Sequence, residues 1–173
     1  MAIKKILTEP DPFLRQKSHE VDKVDNETRK LMDDMLDTMY AAPGIGLAAI
    51  QIGVPKRIIV IDLSKEEVKK PLYFVNPKII LKSDNKSIYE EGCLSVPGQF
   101  AEIGRPDQCH IKYLDYRGQQ QELKAEGLLA TCIQHEIDHL EGILFIDYLS
   151  KLKKSFIAKK LSKQKKSLER IVV

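Results

Sequence analysis

The sequence predicts a single α+β domain in which helices bracket a central block of strands. Its 173 residues suit one domain with one hydrophobic core. Strand patterns follow one another in the middle of the chain instead of alternating with helices, which argues against repeated βαβ units. No stretch approaches the roughly 18 apolar residues that a membrane span needs, so we expect no membrane location.

A first helix is predicted to begin at Asp25 or Asn26, either of which can cap it, and to end near Ala41. Apolar side chains recur every four residues along it. The two rows are Leu31, Met35, Met39 and Met32, Leu36, Tyr40. Methionine-rich faces also occur at binding sites, but helical spacing is more typical of core packing. We therefore expect this face to be buried.

The middle of the chain is predicted to form strands separated by loops and turns. The strand segments are Arg57–Leu63, Leu72–Val75, Ile79–Leu81 and Cys109–Tyr116. Pro77 is expected to break the second segment from the third. Residues 92–98 contain too much Gly and Pro for a long element, and Arg117-Gly118 is typical of a turn.

Two helices are predicted in the last third of the chain. The first covers Ala125–Leu140 and is closed by Gly142. The second begins near Leu149 and carries a basic tail, since residues 151–173 hold nine Lys and Arg residues and one acid. The remainder holds 19 basic and 24 acidic residues. We therefore distinguish a body, residues 1–150, from a basic helical tail, residues 151–173, of the same domain.

The cysteine count indicates a reducing environment. Cys93, Cys109 and Cys132 are an odd number in a chain of this size, which argues against a disulfide framework and for free thiols. The first ten residues lack the long apolar region of a secretory signal. We therefore expect a cytoplasmic location.

A metal-binding motif lies inside the predicted helix Ala125–Leu140. Residues 135–139 follow the pattern His-Glu-x-x-His. Residues four apart share a helix face, so the imidazoles of His135 and His139 can reach one ion. Glu136 lies about 100° further around the helix, near enough to act on water without binding the metal. The motif predicts a metal-dependent hydrolase with Glu136 as its general base and acid.

A catalytic metal site needs a third protein ligand, which the motif does not supply. One class of zinc proteases places a third His six residues after the second, where this chain has Phe145. Another class uses a downstream glutamate, and beyond Glu141 the only glutamate is Glu169, in the basic tail. We therefore expect the third ligand to lie upstream. Cys132 lies about 10 Å along the helix from His139, which is too far. Cys93, in a tight Gly/Pro loop, is favoured over Cys109. We expect His19 and His110 to be structural or surface residues.

A glycine-containing segment, residues 44–49, superficially matches the dinucleotide pattern G-x-G-x-x-A. That pattern requires a preceding strand and a following helix, whereas here a helix precedes and a strand follows. We therefore reject nucleotide binding. Glycine backbone also lets a peptide approach closely, and Gln51 just beyond offers N–H donors that could face an oxyanion.

Three stretches together resemble one family, the peptide deformylases. They are Gly44-Ile-Gly-Leu-Ala-Ala-Ile-Gln51, Glu91-Gly-Cys-Leu-Ser95 and Gln134-His-Glu-Ile-Asp-His139. They occur in the family's order, and the resemblance covers nearly the whole chain. It implies an α+β fold with antiparallel sheets around a central metal-binding helix. It also implies removal of the formyl group from N-formylmethionine at the start of nascent chains.

The resemblance also implies the roles of particular residues. Cys93, His135 and His139 would be metal ligands, Glu136 the acid and base, and Gln51 with the backbone N–H of Leu94 the oxyanion donors. Gly46 and Glu91 would bind peptide backbone, and Ile45, Tyr89, Leu128 and Cys132 would line the methionine pocket, with Tyr89 at a variable position. Fe²⁺ would be the physiological metal, replaceable by Zn²⁺ or Ni²⁺. Phe100 departs from the family, since some members carry a basic residue there.

Two other functions compete with this interpretation. A zinc endopeptidase of the His-Glu-x-x-His type would cleave internal peptide bonds, and a structural metal-binding module would have a closed ligand shell. The chain has no insertion between the first two of the three stretches, and this, together with the helical tail, resembles the shorter bacterial and organellar branch of the family. We therefore expect a monomer whose basic tail, residues 151–173, docks on the ribosome and which has no DNA partner.

Overall fold

The structure, a computed structural model, describes residues 2–65 and 67–171, with side chains up to residue 167 in the last helix. The described residues form three α-helices, three short 3-10 helices and seven strands. The helices are α1 (Asn26–Ala41), α2 (Gly127–Leu140) and α3 (Lys151–Ile171). The strands are β1 (Gly46–Ala48), β2 (Ile58–Ile61), β3 (Leu72–Lys82), β4 (Lys86–Cys93), β5 (Val96–Pro106), β6 (Gln108–Leu114) and β7 (Gln120–Glu126).

The strands form two antiparallel sheets. The larger has five strands in the order β1-β2-β3-β6-β7, and β4 pairs with β5 in a separate two-stranded sheet. Helix α2 contacts both sheets. The predicted α+β fold with a central helix between antiparallel sheets is therefore confirmed.

The five-stranded sheet is covered on both faces, which explains why every residue of β2 is buried. Ile59 and Ile61 point toward α2 and share its core cluster, whereas Ile58 and Val60 pack with the methionines of α1. This alternation follows from the two-residue period of a strand. Met32, Met35 and Met39 are fully buried, so the predicted core face of α1 is confirmed.

Helix α1 begins as predicted. The carboxylate of Asp25 accepts a hydrogen bond from the backbone N–H of Thr28 at 2.9 Å, which is the contact that an N-cap makes. The helix ends at Ala41, immediately before the loop that leads into the short strand β1. α1 thus delivers residues 43–46 to the edge of the sheet.

The prediction that Pro77 separates two short strands is wrong, because Leu72–Lys82 is one continuous strand. The register with β6 shifts between Val75 and Lys78 and again between Ile79 and Leu81, and Asn76 has a left-handed φ of 50°. Its side chain accepts from the N–H of Val21 and donates to the carbonyl of Val21, both at 2.8 Å. Pro77 therefore lies in a bulge of the strand, where its lack of a backbone N–H removes no ladder hydrogen bond.

Four of the described strands were not predicted, namely β1, β4, β5 and β7. Residues 92–98, predicted as a loop, contain the tight turn that joins β4 to β5. Helix α2 begins at Gly127 instead of Ala125, because residues 120–126 pair with β6. Gly127 has a φ of 61°, a conformation that glycine adopts without strain.

The basic tail is helical, and its first half packs on the body. Leu161 is 3% exposed and joins a core cluster with Val96, Ile103 and Phe145, and Ile157 packs against that cluster. The helical spacing predicts the same inward packing for Leu168, whose side chain lies outside the described residues. No helix in the described part of the chain is long and apolar enough to cross a membrane.

Candidate metal centre and catalytic crevice

Three possible ligands converge where α2 passes the end of β4. His135 and His139 lie one turn apart on α2, with ring centroids 5.1 Å from each other. Cys93 is the last residue of β4, and its Sγ is 3.3 Å from Nε2 of His139. One ligand atom from each of the three residues lies within 4.8 Å of the other two. The structure therefore brings together the three residues that the sequence predicts as ligands.

The two imidazoles have different surroundings. Nδ1 of His135 lies 2.8 Å from Oε1 of Glu91, and since a carboxylate can only accept, Nδ1 carries the proton and Nε2 is left for an ion. Nδ1 of His139 has no hydrogen-bond partner among the described residues. Burial lowers the pKa of His139 well below its usual value, which favours the neutral form that binds metals.

The other two thiols are poorly placed to be ligands. Cys109 is buried in β6 within the core between the sheet and α2, and burial raises the pKa of its thiol to about 11. Cys132 borders the crevice, but burial raises the pKa of its thiol to about 12. Metals bind the thiolate, so both residues are expected to stay protonated and unligated.

Glu136 lies beside the ligands, with its carboxylate against the backbone of β1. A Cβ atom at Gly46 would lie 2.6 Å from Oε1 of Glu136, so the absence of a side chain at position 46 makes room for this oxygen. Oε2 is buried and has no hydrogen-bond partner in the described part of the chain. Burial raises the pKa of Glu136 to about 7, a value suited to a residue that both takes up and releases a proton near neutral pH.

Gln51 is held with its amide nitrogen facing the metal ligands. Its Oε1 accepts from the N–H of Ala48 at 2.8 Å, so the nitrogen must point the other way. Nε2 donates to Oγ of Ser95 at 3.0 Å and lies 3.6 Å from Sγ of Cys93. Ser95, which the sequence analysis did not single out, is fully buried and therefore helps to fix the orientation of the amide.

An apolar crevice of about 460 Å³ opens onto this centre. All the residues predicted to contact substrate border it, namely Ile45, Gly46, Tyr89, Glu91, Leu128 and Cys132, as do Gln51 and Leu94. Ile45 and Leu128 are nearly half exposed at the rim, and Phe100 is 64% exposed. A Cβ atom at Gly92 would lie 2.5 Å from the ring of Phe100, so the ring lies against the backbone of β4.

The remaining histidines lie elsewhere, as expected. His19 is exposed, and its backbone forms an isolated parallel β-bridge with Lys56. Nε2 of His110 lies 2.9 Å from a carboxylate oxygen of Glu122 on the sheet. Phe145, at the position where one zinc-protease class has its third His, is buried with its ring stacked 6.2 Å from that of His135. Phe145 therefore packs against a predicted ligand and offers no ligand atom itself.

Several polar residues around the centre are not predicted from the sequence. Arg105 on β5 is buried against Glu91 and Asp138, and Thr131 borders the crevice. Asp138 occupies one of the two unspecified positions of the His-Glu-x-x-His pattern, so the motif predicts a role for its neighbours but none for Asp138. No local pattern marks Arg105, whose partners lie 14 and 33 residues away.

A hydrolytic metal site requires ligand atoms that converge on one point. It also requires a nearby group that can accept a proton, and here that group is a buried acid with an unpaired oxygen. The fold and the site thus define a metal-dependent hydrolase. The chain matches the family model described as polypeptide deformylase over residues 3–155. It belongs to the polypeptide deformylase family.

Related chains and structures support this assignment over nearly the whole length. The peptide deformylase of Pelagibacter ubique is 71% identical over 174 residues, covering 100% of both chains. That of Phenylobacterium zucineum is 61% identical over 96% of this chain and 99% of its own. The crystal structure of peptide deformylase from Ehrlichia chaffeensis matches with a TM-score of 0.92 and 45% identity, over 96% of this chain and 98% of that one.

Proposed function

We propose that the residues of this crevice carry out the activity of the family. That activity is metal-dependent hydrolysis of the N-terminal formyl group of N-formylmethionyl nascent polypeptides, with release of formate. The observation that carries the proposal is the convergence of Cys93, His135 and His139 beside the unpaired oxygen of Glu136. Phe145, at the position where one zinc-protease class has its third His, is part of the core.

The donor set fits one divalent metal ion. A thiolate and two imidazole nitrogens suit Fe²⁺, Zn²⁺ or Ni²⁺ better than the oxygen-preferring Mg²⁺ or Ca²⁺. We propose Cys93, His135 and His139 as the ligands and Fe²⁺ as the physiological ion, with Zn²⁺ or Ni²⁺ able to replace it. When bound, such an ion supplies Lewis acidity toward the formyl oxygen and makes nearby water more acidic.

Glu136 moves the proton in the proposed reaction. Its unpaired Oε2 accepts a proton from the water molecule that attacks the formyl carbon. As the carbon–nitrogen bond breaks, Glu136 delivers this proton to the departing nitrogen, which leaves as the free amine of methionine. The carbon leaves as formate. Because burial raises the pKa of Glu136 to about 7, both the uptake and the release of the proton are accessible near neutral pH.

Gln51 and the backbone N–H of Leu94 are proposed to stabilise the developing oxyanion. Nε2 of Gln51 already faces the ligands, with Sγ of Cys93 3.6 Å away, a long and weak contact that a charged oxygen can replace. The bonds from Ala48 and to Ser95 fix the amide in advance. Donors that are fixed before the reaction need no reorganisation when charge develops.

The apolar crevice is proposed to take the methionine side chain. Leu128, Cys132 and Tyr89 line it, and Ile45 stands half exposed at its mouth. Gly46 and Glu91 are proposed to contact the peptide backbone. The side-chain oxygens of Glu91 bond to His135 and Arg105, so its peptide contacts would come from its main chain.

The basic tail is proposed to bring the enzyme to its substrate. Most of the lysines on α3 are exposed, Lys163, Lys165 and Lys166 among them, and clustered positive charge attracts the phosphates of ribosomal RNA. Docking near the site where nascent chains emerge would raise the local substrate concentration. We further propose a monomeric enzyme in the bacterial cytoplasm, where its substrates are made.

Formate release from formyl-Met-Ala-Ser under anaerobic conditions, with metal analysis of the same sample, tests the proposal. We expect turnover to require close to one metal ion per chain and to fall in air for the iron form more than for the nickel or zinc forms. Cleavage of internal peptide bonds, or a folded and metal-loaded sample that releases no formate, would contradict it.

A further inference from the structure

Arg105 on β5 is a buried cation with two acidic partners on different elements. It is 3% exposed. Its Nε and Nη2 donate to the two oxygens of Glu91 on β4, at 2.7 and 3.0 Å, and Nη1 donates to Oδ2 of Asp138 on α2 at 2.8 Å. The guanidinium thus binds one carboxylate through two parallel bonds and a second carboxylate from the side.

Beyond Asp138 the network continues to the surface. The hydroxyl of Tyr148 donates to Oδ2 of Asp138 at 2.7 Å, and the Tyr148 ring lies 4.8 Å from the Arg105 guanidinium carbon. Arg105 is therefore fixed by a carboxylate at one edge and by an aromatic ring over its face. Without such partners a buried charge would destabilise the fold.

At its other end the network reaches a proposed metal ligand. Oε1 of Glu91, which accepts from Arg105, also lies 2.8 Å from Nδ1 of His135. The orientation of the Glu91 carboxylate decides which way the imidazole turns and which of its nitrogens carries the proton. His139 has no such partner on its Nδ1 among the described residues, so this support serves only one of the two imidazoles.

We infer that Arg105 is a positioning residue for the metal site: through Glu91 it orients His135, and Asp138 and Tyr148 hold Arg105 in place. The inference rests on the proposed function because it takes His135 as a ligand. Only a planar fork makes two parallel bonds to a carboxylate and a third bond sideways, so lysine cannot replace arginine here. The role of Glu91 then includes fixing the ligand, in addition to any contact with peptide backbone.

A purely structural role makes a different prediction. Arg105 also joins β5 to α2, and if that were all, its substitution would lower folding stability and leave the metal site unchanged in the folded molecules. A positioning role instead predicts a weaker site in protein that is still folded. The affinity for the metal alone separates the two, because it is measured without substrate.

Competition between a chelator and the full-length protein for Zn²⁺, together with the visible absorption spectrum of the Co²⁺ form, tests the inference. For Arg105→Lys we expect zinc affinity to fall about 10- to 100-fold, as for other residues that support metal ligands, with a changed cobalt spectrum. The matched control is Arg57→Lys. Arg57 is also a largely buried arginine paired to an acid, with Nη2 2.8 Å from Glu141, but it lies outside the crevice. It should keep the natural affinity and spectrum.

Unchanged zinc affinity and spectrum in folded Arg105→Lys would overturn the inference, and so would an equal loss in Arg57→Lys. If Arg105→Lys does not fold, Asp138→Asn carries the test, since it keeps the shape and removes the charge that anchors Nη1. It should weaken zinc binding several-fold, and unchanged binding would overturn the inference. Failure of the natural chain to release formate while these differences persist would contradict the proposed function and not the role of Arg105.

Discussion

The carboxylate of Glu136 has one oxygen against Gly46 and the other without a partner among the described residues. Glu136→Gln keeps the shape of the side chain but cannot accept a proton, so we expect full metal content and a loss of about 100-fold or more in kcat. Formate release and metal analysis on the same preparation measure both quantities. Near-normal turnover at full metal occupancy would show that another group is the base.

The three cysteines differ in their surroundings, and only Cys93 lies within the ligand cluster. A neutral hydroxyl is a poor substitute for a thiolate, so Cys93→Ser should weaken metal binding by far more than Cys109→Ser or Cys132→Ser. Equilibrium dialysis against Zn²⁺ compares the three variants directly. Loss of the metal from Cys109→Ser would instead mean that the wrong cysteine had been chosen.

At the residue scale, the sequence predicts best what local spacing determines. His135, Glu136 and His139 are placed by one helix, so their juxtaposition follows from its 3.6-residue period. Arg105 reaches the centre only because separate strands and helix α2 meet there, and no local pattern marks it. Ser95 lies inside the stretch Glu91-Gly-Cys-Leu-Ser95, but its partner Gln51 is 44 residues away in the chain. A single sequence does not reveal such contacts between distant parts of the chain.

At the scale of elements, the same distinction separates the helices from the strands. The apolar period of α1 is strong because one face is buried, and it predicts the bounds of the helix closely. β4 has only one buried residue, Glu91, and β7 has only Ala125, so neither shows the apolar alternation that marks a strand. In β3 the proline wrongly predicts a break, because the bulge that accommodates it depends on Asn76 and the distant Val21.

Helix α3 packs on the body through its first half and carries basic residues along its whole length. Truncation after Leu149 would remove Leu161 from the core, and loss of a buried leucine costs about 2–5 kcal/mol. Truncation after Ser162 keeps Leu161 and removes Lys163, Lys165, Lys166 and Arg170. We expect this shorter chain to release formate normally from a short formyl-peptide and to bind ribosomes more weakly.

Co-sedimentation with ribosomes over a series of salt concentrations measures the effect of that truncation. The slope of log affinity against log salt should fall by about one for each RNA phosphate that the shorter chain no longer binds. A chain in which Lys65, Lys69 and Lys70 are replaced by Gln serves as a control of similar charge outside the tail. Equal binding by the truncated and full chains would exclude the end of the tail as the anchor.

At the scale of the whole molecule, the proposed ligands join two sheets. Cys93 ends a strand of the two-stranded sheet, while His135 and His139 lie on the helix that also covers the five-stranded sheet. An ion bound to all three would bridge them. A ligand present at about a thousand times its dissociation constant stabilises the folded state by about 4 kcal/mol, which for a chain of this size raises Tm by roughly 10 °C.

Calorimetry of metal-loaded and chelator-treated protein measures that difference in Tm. The chelator should lower the Tm of the natural chain and have little effect on Cys93→Ser, in which the bridge is already weakened. An equal Tm with and without the ion would mean that the sheets are held together without it. Chelator-treated protein should regain both Tm and activity when the metal is restored.

The close approach of Gly46 to Glu136 has a consequence for drug resistance. The Cβ atom of any side chain at position 46 would lie 2.6 Å from Oε1 of Glu136, so a substitution there would displace the carboxylate that we propose as the base. An inhibitor that takes its affinity from the Gly46 main chain therefore leaves few routes of escape. Phe100 is 64% exposed at the rim, so its side chain is not confined by the proposed base. A single substitution there would remove the ring contact on which a compound depends.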